Sequence, residues 1–189
     1  ETQRQADALG LRIAGHYAGM KLSLQALDGT TPATQVATLK DYLAAEEKML
    51  AKADPLDQQE LRFHIALAAY LAAHAGDVSL AERAAAIAGP VSDADMPILD
   101  NLLGVARAEI RRASGKPQDA LATLKPLVNG SELYITHVAL MAAYADAHNQ
   151  AAALTEARWL SNHRGRAYLE FNVQQMLMPF KERKSGVEG

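Results

Sequence analysis

The chain has 189 residues, room for one domain with a sizeable core or for a short array of repeats. A net charge of −3 and an aromatic content of 5% give no basic footprint and few stacking platforms for nucleic acid. The lack of cysteine excludes disulfides, thiolate metal sites and cysteine nucleophiles, and no run of about 18 apolar residues exists to span a membrane.

Hydrophobic residues make up 49%, and alanine carries much of that count. Alanine is both the best helix former and a very small packing residue, so the expected fold is all-α with close helix contacts. The chain starts at Glu1 rather than methionine. A processed protein or an excised domain is expected. The absence of cysteine suits a soluble bacterial domain of the cytoplasm or the periplasm alike and leaves the compartment open.

Residues 4 to 28 are expected to form a first helix, with Leu9, Ile13, Tyr17, Met20, Leu24 and Leu27 on one face. Gly15 and Gly19 share a face that admits a close neighbour, either from this chain or from a second copy. Thr31 caps and Pro32 opens a second helix to about Lys52, its stripe formed by Val36, Leu39, Leu43 and Leu50. Glu46 and Glu47 lie beside that stripe and are expected to face water, because an unpaired carboxylate is costly to bury. Asp54 and Pro55 stop this helix, so residues 1–56 read as an N-terminal helical hairpin, with a degenerate repeat as the alternative.

Asp57, with Glu60 three residues on, resembles a capping box for a third helix that ends at Gly76. Ser79 and Glu82 form a second such box before an alanine-rich helix closed by Gly89 and Pro90. Ser92, with Asp95 in the first turn, opens a long helix running through Leu99, Leu102, Leu103, Ala106 and Ile110 to Gly115. Pro117 opens a short helix, and Pro126 ends or kinks it. Asn129-Gly130 is a turn, and Ser131 caps the next helix.

Thr136 to Asn162 reads as two helices joined at His148 and Asn149. Leu140, Met141 and Tyr144 of the first face Ala153, Ala157 and Leu160 of the second, large against small. Gly165 then breaks the chain. Residues 166 to 178 carry Tyr168, Leu169, Val173, Met176 and Leu177, suiting a final amphipathic helix ended by Pro179 and followed by a polar tail.

Three hairpins align on their turns. The alanines that open each second helix, Ala81, Ala120 and Ala153, are spaced by 39 and 33 residues. Neither helix of a hairpin can bury its stripe alone, so each needs neighbours of its kind. This organisation resembles the tetratricopeptide repeat (TPR), whose period is about 34 residues. The resemblance covers residues 57–165, and residues 166–189 become a capping helix and tail. Arg107 and Arg111 depart from it, standing where the family has large apolar groups. Other α-solenoids and a plain helical bundle share the same pattern.

The resemblance implies a concave groove lined by the first helix of each hairpin. The partner-binding residues carried onto it are Phe63, Tyr70 and His74, then Glu109 and Arg112, then Ile135, Val138 and Asp146. Such a face suits a protein or peptide docked through apolar anchors, with Arg112, Glu109 and Asp146 setting register. A face filled by neighbouring helices is the alternative. The groove reading expects glutamate at Tyr70 and Val138 to abolish binding without unfolding the chain. The lysine, asparagine and arginine set with which some TPR domains clamp a C-terminal carboxylate is absent, since Ala66 and Tyr70 occupy two of its places.

No Gly-x-Ser-x-Gly elbow, P-loop or dinucleotide fingerprint occurs, so neither an enzyme nor a cofactor is expected. The histidines form no recognised metal motif and are expected to be satisfied or exposed. Arg107, Arg111, Arg112 and Lys116 form one basic cluster. Arg164, Arg166, Lys181, Arg183 and Lys184 form another. Both read as solvated faces, with binding of phosphate or an acidic partner as the alternative. Trp159 is expected to pack in the core. The expected function is therefore a non-catalytic interaction scaffold. The alternatives are a self-associating module, dimerising through Gly15 and Gly19 or through Met176, Met178 and Phe180, and a helical-bundle ligand carrier or enzyme.

Overall fold

The computed structural model describes residues 32–89 and 97–171. The expected helix over residues 4 to 28, the connection Val91 to Met96 with Ser92 and Asp95, and everything after Phe171 lie outside the described residues.

The described residues form eight α-helices and contain no strand. They are α1 (Pro32–Leu50), α2 (Pro55–His74), α3 (Val78–Ala88), α4 (Pro97–Ala113), α5 (Pro117–Leu124), α6 (Tyr134–Asp146), α7 (Gln150–Asn162) and α8 (Arg164–Phe171). The all-α expectation holds. A 3-10 turn, Lys125–Leu127, follows α5 where Pro126 denies the helix a backbone donor. No described helix is long and apolar enough to cross a membrane.

Three helix pairs, α2 with α3, α4 with α5 and α6 with α7, are joined by turns of identical bonding. Gly76, Gly115 and His148 take left-handed φ values of 87°, 76° and 59°. Each donates its N–H to the carbonyl three residues back, Ala73, Arg112 and Ala145, at 2.9–3.0 Å. The next residue donates to the carbonyl five back, Ala72, Arg111 and Tyr144, at 2.9 Å in each case. This is the Schellman arrangement, which satisfies the orphan carbonyls of a helix end within two residues. That next residue, Asp77, Lys116 or Asn149, is at once the N-cap of the second helix. Its carbonyl accepts the N–H of Ala81, Ala120 or Ala153, all three buried.

The pairs lie against one another in chain order. α2 contacts α4, and α4 contacts α6, while α3 and α5 each also reach the first helix of the following pair. α1 packs on α2, and α8 touches α6. Alanine makes these approaches close. Ala66, Ala69, Ala72 and Ala73 of α2 and Ala81, Ala84 and Ala88 of α3 are at most 1% exposed. Leu39, Leu43, Ile65, Leu99, Leu103 and Leu124 fill the spaces between, each burial contributing roughly 1.5–3 kcal/mol. α4, in contact with four helices, buries Leu99, Leu102, Leu103, Val105, Ala106 and Ala108 and turns Arg107 outward.

Several expected boundaries move. Pro55 opens α2 rather than closing the region before it, because Asp54 Oδ1 accepts the Asp57 N–H at 2.9 Å. Asp77, not Ser79, caps α3 through the Leu80 N–H at 3.0 Å. Asn129 Oδ1 takes the Ser131 N–H and hydroxyl, so Ser131 is spent inside the turn and α6 begins at Tyr134. Gly165 is taken up into α8 instead of breaking the chain.

The larger correction is Glu46. It is 1% exposed rather than open to water, and its Oε2 lies 3.2 Å from His64 Nδ1, across the α1–α2 interface. Tyr42 is buried beside it. Burial, then the charge of Glu46, pushes the phenol well above the usual tyrosine range.

Candidate functional site

The first helices of the three pairs, α2, α4 and α6, share one face with two parts. One part is an apolar pocket enclosing about 40 Å³, lined by Phe63 and Leu67 of α2, Ile98 and Leu102 of α4, Leu133 and Ile135 at the start of α6, and Glu170 of α8. Phe63, Leu67 and Ile98 are half-buried, whereas Leu102, Leu133 and Ile135 belong to the core. The pocket has room for the end of one side chain or a few waters.

The other part is a polar ladder crossing the last turns of the same helices. Arg112 grips Glu109 with two bonds, Nε to Oε2 at 2.8 Å and Nη2 to Oε1 at 2.6 Å. Its third arm, Nη1, reaches Asp146 Oδ2 on α6 at 2.7 Å. His74 Nδ1 of α2 lies 3.3 Å from Glu109 Oε1, and its ring stacks on Tyr70 at a centroid distance of 6.0 Å. Glu109 is 2% exposed. Burial alone would raise its pKa, but the hydrogen bonds from Arg112 and His74, with their charges, hold it down at about 2. The Glu109 bonds push Arg112 above its usual range. Burial, reinforced by the Glu109 charge, pushes Tyr70 above its own. A carboxylate held at about 2 is a weak base at neutral pH, so the ladder ties helices together rather than offering a proton acceptor. Among the described residues no three His, Asp or Glu side chains converge in a way that would hold a metal ion.

The chain matches no family, no curated protein and no solved structure.

Of the eight residues expected on this face, Phe63 and Ile135 meet in the pocket, and Tyr70, His74, Glu109, Arg112 and Asp146 meet in the ladder. Val138 is half-buried and falls in neither set. Exposure divides them differently. His74 and Asp146 are exposed, Phe63 and Arg112 are half-buried, and Tyr70, Glu109 and Ile135 are buried. Tyr70 is 7% exposed and Val138 is half-buried, so of the Tyr70 and Val138 pair it is glutamate at Tyr70 that would place a carboxylate in the core. Leu102, which the resemblance also carries onto the groove, lines the pocket too, and Leu67, Ile98, Leu133 and Glu170 are the pocket residues that sequence reasoning missed. Leu67 was within reach of it, standing four residues after Phe63 on one helix face.

A second polar centre sits where α6, α7 and α8 meet. The Trp159 ring stacks with His137 at 3.5 Å and with His163 at 4.1 Å between centroids, and it is half-buried rather than core. His137 Nδ1 lies 2.6 Å from Glu156 Oε2. Glu132 accepts the N–H groups of Asn129 and Gly130 at 3.1 and 2.6 Å. Burial opposes its ionisation, but these bonds and the Arg166 charge prevail and lower its pKa. Arg166, counted in a basic cluster from the sequence, is committed to Glu170 at 2.8 Å and to Glu132. Arg112 is likewise committed within its own ladder. His64, His74, His137 and His163 each have a partner, but His137 Nε2 is buried without a hydrogen bond, and His148 is exposed.

Proposed function

We propose that the chain is a non-catalytic interaction module, a TPR-like array of three helical hairpins over residues 57–165 closed by a capping helix. It binds a protein or peptide segment on the face of α2, α4 and α6. The observation that carries this reading is the pocket, to which the first helix of every pair contributes apolar side chains while Phe63, Leu67 and Ile98 keep part of their surface in water. The recurrence of one turn geometry at Gly76, Gly115 and His148 supports the repeat. Binding would draw on an apolar anchor entering the pocket. The ladder at the far end would keep the three helices in fixed register, so that little ordering cost falls on the module.

The test is selection of a random peptide library on the chain, followed by titration of the selected peptides into the wild type and into a Phe63→Glu, Ile98→Glu variant. Both positions are half-buried, so circular dichroism and the melting temperature serve as controls for folding. Selected peptides should share an apolar anchor and lose at least about tenfold in affinity for the variant, roughly 1.4 kcal/mol. Failure to select any peptide, or equal binding to a folded variant, would overturn the proposal.

A further inference from the structure

The face of α2, α4 and α6 is acidic as well as apolar. Among the described residues two arginines serve its carboxylates, and each is shared between two of them. Arg112 holds Glu109 at 2.8 Å and Asp146 at 2.7 Å. Arg166 holds Glu170 at 2.8 Å, and its Nη1 lies 3.8 Å from Glu132 Oε1. Glu170 is the polar member of the pocket wall among the described residues. Asp146 is bonded among them through Oδ2 alone, and its side chain is 47% exposed.

Glu60 adds an acid at the other end of the face. It precedes Phe63 by three residues and Leu67 by seven, so the three share one side of α2. The cap of α2 does not occupy it, because the acceptor there is Asp54, whose Oδ1 takes the Asp57 N–H. Glu60 is half-buried, and no cation pairs with it among the described residues. The nearby positive charges lie off this face. Arg107 is exposed two residues from both Val105 and Glu109, on the opposite side of α4, and Arg111 bonds Thr123 Oγ1 and the Asp119 carbonyl of α5.

These acids flank the pocket at separations a peptide can match. Along α2, Glu60 lies about 4.5 Å to one side of Phe63, and His74, at the level of the ladder and of Asp146, about 16 Å to the other. An extended peptide advances about 3.3 Å per residue. With an apolar residue in the pocket, a cation one or two positions away meets Glu60, and a cation about five positions away in the other direction meets Asp146. The pocket volume of about 40 Å³ suits the end of an aliphatic side chain, whereas a benzene ring fills a cavity of about 150 Å³.

We infer that the partner is a basic peptide segment in which one aliphatic residue enters the pocket and lysine or arginine on either side pairs with Glu60 and Asp146. The inference rests on the groove reading above and names the chemistry of its partner. Charges at the rim of a site act mainly on encounter and orientation, so the acids choose among apolar peptides rather than anchor them.

The probe is a dye-labelled serine and alanine peptide carrying one leucine, a lysine two residues before it and another five residues after it, together with the peptide of reversed order. At low salt the better of the two should bind the full chain at least about tenfold more tightly than its lysine-to-glutamine analogue, and about 0.5 M salt should remove most of that advantage. Exchanging its leucine for serine should also lose about tenfold or more. Glu60→Gln with Asp146→Asn, checked for folding by circular dichroism, should abolish the lysine advantage and leave affinity for the glutamine analogue unchanged. Equal binding of the lysine and glutamine peptides would overturn the inference and leave the groove reading standing. A lysine advantage that survives the double variant, or that does not need the leucine, would overturn it in the same way, because the charges then act away from the pocket. Binding of neither peptide would also overturn it, and the groove reading would then stand or fall with the library-selected peptides.

Discussion

Glu170 caps a helix to which it does not belong: its carboxylate accepts the backbone N–H of Tyr134, the first residue of α6. α6 needs this because Leu133 occupies its N-cap position and offers no side-chain acceptor. An N-cap contributes about 1 kcal/mol, and a negative charge at that end gains further from the helix dipole. Glu170→Ala should therefore cost about 1 kcal/mol of global stability and speed hydrogen exchange throughout α8, while Glu170→Gln recovers part of both. Exchange in α8 that is indifferent to the alanine would show that the cap does not anchor it.

Glu109 gives the fold a defined acid dependence. Its folded pKa of about 2 lies below the ordinary 4.5, so the folded state favours the charged form. The associated stabilisation, about 3 kcal/mol, is fully present above pH 4.5, fades below it and is gone once the pH falls through about 2. Urea unfolding of the wild type and of Glu109→Gln at several pH values should give curves that are separated near neutrality and converge in acid. Parallel curves across that window would assign the acid dependence to other carboxylates.

The repeated turns predict opposite signs for introducing and for removing glycine. His148 holds a left-handed φ of 59° that a side chain disfavours by roughly 1–2 kcal/mol. His148→Gly removes that strain at an entropic cost of about 0.5–1 kcal/mol, for a net gain of about 0.5 kcal/mol. Gly76→Ala and Gly115→Ala should each lose about 1 kcal/mol through backbone conformation alone, since an added Cβ meets nothing within 4 Å at either site. Thermal unfolding of the three variants decides it. A destabilised His148→Gly would mean that the histidine side chain has a role in the turn.

These turns were legible in the sequence because their physics acts over a few residues. Helix ends at Gly76, Gly115 and His148 and Pro117 at the first helical position follow local rules, although the cap read at Ser79 belongs to Asp77. The ladder was half legible. Glu109 and Arg112 are three apart on one helix, and His74 and Asp146 fall in the last turns of the neighbouring first helices. The features that escaped were set by contacts distant in sequence. Glu170 lies 36 residues from the N–H it caps, and Glu132 is stabilised by a turn that the Asn129-Gly130 signal marks without naming its acceptor. Trp159 and His163 sit four apart on one face, but the stack with His137 needs α6 and α7 already paired.

Glu46 is the case in which a sound local argument met a distant partner. A lone carboxylate avoids the interior, but His64, 18 residues on, supplies its partner within the α1–α2 interface. Removing one member of a buried pair costs more than removing both, because the survivor keeps its desolvation penalty without compensation. His64→Leu, which leaves the Glu46 carboxyl buried without this partner, should cost about 3 kcal/mol, and Glu46→Leu, which leaves the imidazole without this one, about 1–2 kcal/mol. The double leucine variant should be well above the sum and close to the wild type, because two apolar side chains then fill an interface already lined by Leu39, Leu43 and Ile65. A double-mutant cycle by urea unfolding measures the coupling directly. Strict additivity would mean that the 3.2 Å approach of Glu46 and His64 carries no energy of its own, and that α1 is held on α2 by its apolar stripe alone.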